Sequence, residues 1–262
     1  MKSIESAANA QFRRWLRIAG MPRAARELGL TLAEGLHLAQ AALAAGAAVE
    51  AIVLRRGADH PEIEALVAGF DPVLPRFELA PALYDRLAPV EHGVGLLLVL
   101  APPAAEPPAA LAADMLYLDG IQDPGNVGAL IRTAAAAGVR HVLASAGTAA
   151  LWSPRVLRAA MGAHFHIGLH EHVAVAQLPR VLDGPWLVAV AHEASALWEL
   201  NLDAPALGWI FGAEGSGPSA AALALAQQRV RIPTSAAVES LNVAAAAAVC
   251  LFERCRQRAR RR

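Results

Sequence analysis

Three groups of polar residues stand where the surrounding chain is apolar or rich in glycine, and their types suit the holding of a polar ligand. Asn126 and Arg132 flank Val127-Gly128-Ala129-Leu130-Ile131, after a loop made by Gly120, Pro124 and Gly125. Six residues is about 240° around a continuous helix, so the two converge only if Asn126 lies at or before the first turn. Arg132 is followed by Thr133-Ala134-Ala135-Ala136-Ala137, which reads as a helix body made to be buried. A buried guanidinium is costly unless an anion pairs with it, so a phosphate or carboxylate partner is expected. The plainer reading is a helix cap plus a surface arginine. In the second group Glu214 sits among the glycines of Gly212–Gly217. Such a loop leaves backbone donors and acceptors free to read a flat ligand, or is merely a flexible turn. In the third, Ser240 and Asn242 flank Leu241 at the entrance of a helix that is apolar from Val243 to Phe252. They are helix caps or part of a site.

What is missing narrows the chemistry. A phosphate-binding Gly-Lys-Ser/Thr loop needs a lysine, and Lys2 is the sole one. No G-x-G-x-x-G follows a strand, so a dinucleotide fold is not supported. His164, His166, His170 and His172 read as strand alternation rather than a metal site, and no metal is expected.

Taken in order, N-x-G-x-L-x-R-T-A at 126–134, G-x-E-x-x-G at 212–217, and Ile232-Pro233 followed by Ser240-Leu241-Asn242-Val243 resemble the three motifs of the SpoU (TrmH-like) branch of the SPOUT RNA methyltransferases. The resemblance covers roughly residues 114–258. It implies an α/β fold whose parallel sheet has helices on both faces and a trefoil knot. It implies methyl transfer from S-adenosylmethionine to a ribose 2′-hydroxyl of RNA, with ribosomal RNA favoured over transfer RNA, by a cytoplasmic homodimer. Carried over by motif, the active-site positions are Asn126, Arg132, Glu214, Ser240 and Asn242, and the cofactor-binding positions are Gly212, Ile232 and Leu241. Arg132 is implied as a base or as a positioner, and a free guanidinium is a poor base at neutral pH. Ala236 and Pro218 depart from the family's usual residues. The rival class is an RNA-binding protein that kept the fold without the catalysis.

The elements that must position these residues follow from periodicity. Beyond residue 113, strand signals at 115–118, 141–144, 165–168, 187–191, 209–211 and 230–232 alternate with helical ones near 127–137, 154–161, 171–181, 219–227 and 241–258, the pattern of a parallel sheet. Residues 101–113 carry four prolines and read as an extended linker. Residues 1–100 form a small α/β domain. Its Asn9, Leu32-Ala33-Glu34-Gly35 and Gly95–Val99 are similar to the L30e-like substrate-binding domain found before SpoU catalytic domains, with His92-Gly93-Val94-Gly95 where that domain usually has a Gln-Gly pair. A helix over 6–19 presents Arg13, Arg14 and Arg17 on one side, as a solvated face or a phosphate-contacting edge. Arg254–Arg262 holds six arginines, as an RNA-touching end or a solubilising one.

Composition sets the outer bounds. The chain has 262 residues, no net formal charge and two cysteines, Cys250 and Cys255, whose five-residue spacing points them apart on a helix. No apolar run approaches the ~20 residues that span a bilayer, and the N-terminus lacks the apolar stretch of a signal peptide.

Overall fold

The computed structural model describes residues 1–58, 60–88, 93–104, 106–107, 109–235 and 237–260. Ala236 and His92, noted above, lie outside the described residues. The chain divides into two compact units. The first holds Met1–Ala104 and Trp152–Phe165, the second Ala105–Leu151 and His166–Arg262.

In the first unit the chain runs β1 (Lys2–Ile4), α1 (Ala10–Gly20), α2 (Pro22–Leu28), β2 (Thr31–Glu34), α3 (Leu36–Ala44), β3 (Val49–Arg55), α4 (Pro61–Ala68), β4 (Arg76–Leu79), α5 (Pro81–Leu87) and β5 (Leu96–Leu100). Among the described residues the sheet order is β1-β4-β3-β5-β2. Strand β5 runs antiparallel to both neighbours, and the other pairs are parallel. Strand side chains alternate between faces, and β5 shows it. Leu97 and Val99 join Phe12, Trp15 and Ile18 on one side, while Leu96, Leu98 and Leu100 join Leu38, Ala39 and Ala42 on the other. The helix expected from residue 6 starts at Ala10, because the Asn9 side chain accepts the Gln11 and Phe12 amides and caps it there.

The second unit starts at strand β6 (Met115–Asp119), followed by α6 (Pro124–Ala136) and β7 (His141–Ala144). The chain then makes an excursion through α7 (Pro154–Ala160), which belongs to the first unit. There Leu157 is buried with Ala42 and Ile52, and Thr31 donates to the Trp152 carbonyl. Strand β8 (Gly168–His170), α8 (Leu178–Val181), β9 (Trp186–Ala189), β10 (Ser195–Ala196), β11 (Gly208–Gly212), α9 (Ala220–Leu225), β12 (Gln228–Arg231) and α10 (Val243–Ala259) complete it. The strands pair in parallel in the order β10-β12-β9-β11-β6-β7-β8. Strands β6 and β11 are buried along their whole length, as expected where helices cover both faces.

Three sequence expectations need correction. The strand expected at 165–168 is a 3₁₀ turn over Ala163–His166, with β8 starting only at Gly168. The helix expected at 171–181 shrinks to a 3₁₀ turn and the four residues of α8. The linker is not a free spacer throughout: the Ala110 and Leu111 amides bond the Arg180 and Val181 carbonyls, docking that stretch on the second unit.

Candidate active site

Ligands of open parallel sheets bind beyond the carboxyl ends of the strands, where the strand order reverses. Here that edge is formed by the loops after β6, β9, β11 and β12. Strands β6 and β11 lie side by side with Asp119 in register with Gly212, so the chain's first and second motif loops leave the sheet together. Asp119 fastens them, its carboxylate accepting the Ser219 amide at 2.7 Å. Below it, Gly120 turns with φ +76°, and its amide donates to Ser145 at 2.9 Å and Thr148 at 3.2 Å.

The Gly212 loop is shaped by a close approach. A Cβ at Gly212 would collide with the backbone of Gly217 and Pro218, which fold back over it. The Gly217 amide closes the loop onto the Ala213 carbonyl at 2.8 Å, with Gly217 at φ +68°, a conformation that favours glycine. Pro218 is thus accommodated directly beside Gly212. Glu214 is carried outward on this loop and is exposed.

Helix α6 begins at Pro124 behind Asp123, whose carboxylate accepts the Asn126 amide at 2.7 Å. Asn126 therefore lies in the first turn, which meets the condition set by its spacing from Arg132. The Asn126 side chain uses both ends of its amide. Its Nδ2 donates to Glu214 Oε1 at 2.8 Å, and its Oδ1 accepts from Asn242 Nδ2 at 2.9 Å. Asn242 is in turn the N-cap of α10, its Oδ1 accepting the Ala244 and Ala245 amides at 2.9 and 3.2 Å. Glu214, Asn126 and Asn242, drawn from three motifs up to 116 residues apart, form one chain of hydrogen bonds anchored on a helix end.

Arg132 behaves differently from the expectation. Helix α6 buries Val127, Leu130, Ile131 and Ala134, a stripe at helical spacing, and Arg132 falls off that stripe. It is exposed, and among the described residues no carboxylate pairs with it. The alanines that follow it made the helix look wholly buried, but alanine is equally at home on a half-exposed surface. Ser240 and Leu241 are also exposed, Leu241 at 40% with Val238 nearby in sequence at 54%. Ile232 is half-buried. Apolar side chains left open to solvent at the carboxyl edge of a sheet, beside a glycine-rich backbone, fit a flat, largely apolar heterocycle with polar edges. A purine nucleoside has that chemistry.

A family model for the SpoU rRNA Methylase family matches residues 114–252. The chain belongs to the SpoU family. An uncharacterized tRNA/rRNA methyltransferase of Synechocystis is 33% identical over 249 residues, covering 88% of this chain and 86% of that protein. The 23S rRNA (guanosine(2553)-2′-O)-methyltransferase RlmP of Bacillus subtilis is 30% identical over 257 residues, 96% of this chain and 98% of its own. A crystal structure of an RNA 2′-O ribose methyltransferase superposes with a TM-score of 0.81 at 30% identity, covering 98% of this chain and 99% of the other.

Motif reading missed Asp119, Asp123 and the Ser145/Thr148 pair, which hold the site's loops. Asp119 was visible as the polar residue ending an apolar strand; the others bond only across the fold, so spacing gave no signal. The histidines form no metal-holding group of three or more with other such ligands among the described residues. His141 and His170 instead hydrogen-bond each other at 3.1 Å across β7 and β8. No helix among the described residues is long and apolar enough to cross a membrane.

Proposed function

We propose that this chain methylates a ribose 2′-hydroxyl of ribosomal RNA, with S-adenosylmethionine as methyl donor, and that it does so in the cytoplasm as a homodimer. The observation that carries the reading is the Glu214–Asn126–Asn242 chain of hydrogen bonds, which joins the three motifs in a SpoU chain; Arg132 is exposed further along α6. When bound, the cofactor's sulfonium supplies an electrophilic methyl group, so no metal is required. Gly212 would offer backbone groups to the adenosine, and Ile232 and Leu241 would supply apolar contact to it. The second unit carries this site and, with the family, a trefoil knot; the first unit binds the RNA.

The chain's own task is alignment and charge. In-line positioning of a weak nucleophile contributes several kcal/mol in well-oriented systems. Arg132, unneutralised and solvent-facing, holds a phosphate beside the reacting ribose and stabilises negative charge on the 2′-oxygen as its proton leaves. Positioning suits it better than base action, because a guanidinium stays protonated at neutral pH. Asn126 is fixed from both sides, and Glu214 and Ser240 provide further polar atoms at the same rim. Ribosomal RNA is preferred because the Bacillus relative is named for 23S rRNA.

The dimer reading rests on α10. Its inner face buries Val243, Ala247, Cys250 and Leu251, while Ala245 and Phe252, the latter 49% exposed, point outward beside half-exposed Ala248 and Val249. This helix, apolar from Val243 to Phe252, is thus covered by its own chain on one side only. Obligate interfaces are apolar and bury upward of ~2,000 Å², and this outward stripe is the place for one.

The test uses purified protein, labelled S-adenosylmethionine, and in-vitro transcripts of 23S rRNA and of transfer RNA. Nucleosides from the digested product should show label on ribose, from the ribosomal transcript. Label on a base would end the 2′-O reading, label from transfer RNA alone would end the ribosomal one, and RNA binding without transfer would favour the non-catalytic rival. Sedimentation at low micromolar concentration should give twice the monomer mass.

A further inference from the structure

Five arginines of the first unit are already engaged by a carboxylate or a backbone carbonyl. Arg14 pairs with Glu50 at 2.6 Å, Arg23 with Glu27 at 2.8 Å, Arg55 with Asp85 at 2.9 Å, and Arg56 with both Glu5 and Glu78. Arg76 donates to the Val67 and Phe70 carbonyls. Two arginines of α1 are not so engaged among the described residues. The inner face of this helix is filled by Phe12, Trp15 and Ile18, and its outer face consists of Ala10, Arg13, Arg17 and Gly20. Arg13 and Arg17 are exposed, and among the described residues neither has a carboxylate partner.

Two rules of helix stability are broken there. Cations are unfavourable near a helix's N-terminal end, yet Arg13 stands in the opening turns of α1, which carries no acid in its first turn. Like charges four residues apart repel, and Arg13 and Arg17 are so spaced. Where local rules are broken without a compensating contact, function is the usual reason. On the rest of the face Ala10 and Gly20 are exposed and carry no long side chain to hold a partner's backbone away. Arg86 of α5 adds a cation at the helix's flank, its guanidinium 5.3 Å from the centre of the Phe12 ring.

We propose that the outer face of α1, through Arg13 and Arg17, is a phosphate-contacting surface for the RNA substrate, which resolves in favour of contact the two readings open for this helix and removes Arg14 from it. The proposal rests on the reading that the first unit binds RNA. Arginine suits the role because its planar fork meets phosphate oxygens in pairs.

The experiment measures binding of full-length protein to a 23S rRNA transcript over a salt series, comparing wild type with Arg13→Gln/Arg17→Gln. The control is Arg23→Gln/Glu27→Gln, which removes an exposed pair at no change in net charge. Each lost single-strand phosphate contact makes the log–log slope shallower by roughly 0.7, so the double variant should lose about 1.4 and the control nothing. S-adenosylmethionine affinity should be unchanged, and the thermal midpoint unchanged or raised, because a repulsive pair has been removed. An unaltered slope in the double variant, with wild type binding steeply, overturns this surface and leaves the RNA reading standing. A wild type that binds the transcript with no salt dependence overturns both. If polyglutamate displaces the RNA and the double variant loses only polyglutamate binding, the face serves an acidic protein and the proposal falls.

Discussion

Arg132 and Arg254 lie on the two helices of the second unit that pack on each other, α6 and α10, and their surroundings are opposite. Arg132 faces solvent with no carboxylate partner among the described residues. Arg254 is buried, its side chain 3% exposed, and its guanidinium is filled on every side. Nε and Nη2 bond the two Asp114 oxygens at 2.7 and 2.6 Å, Nη2 also reaches the Ala204 carbonyl at 2.9 Å, and Nη1 takes the Leu202 carbonyl. Arg258 adds a second cation to the same carboxylate at 2.8 Å and bonds the Pro205 carbonyl. A saturated charge cannot serve a ligand; it locks the C-terminal half of α10 to the entry of β6. An exposed one without a carboxylate partner is open to an incoming anion. The same residue type is saturated by structural contacts in one helix and left exposed in the other, with no carboxylate partner among the described residues.

The contrast is broken most severely at Asp114. In Asp114→Ala, Arg254 keeps its buried position without its counter-charge, and breaking a buried pair costs about 3–5 kcal/mol. Urea unfolding should show that loss, or the variant should fail to accumulate folded. A loss below about 1 kcal/mol would mean that Arg254 is not held as described. Arg132→Ala is the mirror experiment. Removing one preorganised charge from a reaction centre costs roughly 10²–10³ in rate, while the unfolding midpoint and S-adenosylmethionine affinity should stay near wild type. Turnover close to wild type would remove Arg132 from the site.

Acid gives a smaller effect, confined to the saturated end. Arg256 holds the Glu253 carboxyl well down, to about 2 from an ordinary 4.5, with Gln257 helping. A carboxyl with a depressed folded value adds stability that is full above about pH 4.5 and is lost as pH falls toward 2. Between pH 6 and pH 3 the wild type should therefore lose more stability in urea than Glu253→Gln does. Equal slopes would place the pair in solvent, where such contacts contribute little.

The sequence made some of this legible and hid the rest, for physical reasons. The motif residues 126, 214 and 242 were readable because an amide, a carboxylate and a cap have few uses between glycine-rich loops and an apolar helix. The strands from 115 and 208 were readable because long apolar runs have few alternatives. The contrast between the arginines was not, and on this point the expectation was inverted. The alanines after Arg132 suggest burial, although Val127, Leu130, Ile131 and Ala134 already mark the buried stripe and leave position 132 outside it. Arg254 and Arg258 read as part of a solvated or RNA-touching end, because their counter-charge, Asp114, lies 140 and 144 residues away. Pairings of that separation leave no local trace. The same holds for the excursion at 152–165, whose apolar residues Leu157, Trp152 and Phe165 read as part of the nearest domain and pack in the other.

Asn242 belongs to both halves of the contrast and yields the smallest expected change. Its Oδ1 caps α10, which is structural, and its Nδ2 holds Asn126, which is part of the site. Alanine would remove both and so decide nothing. Asn242→Asp separates them. The carboxylate keeps an acceptor for the Ala244 and Ala245 amides, and a negative charge at a helix N-terminus is favourable, so the unfolding midpoint should hold or rise slightly. The donor to Asn126 is gone, and two oxygens now face each other across that 2.9 Å gap. Asn126 is then held from the Glu214 side alone. One hydrogen bond of this kind is worth about 1–1.5 kcal/mol, so methyl transfer should fall about tenfold while stability does not. If stability fell and activity followed it in proportion, Asn242 would be a cap and nothing more, and the hydrogen-bonded chain through Asn126 would lose its place in the chemistry.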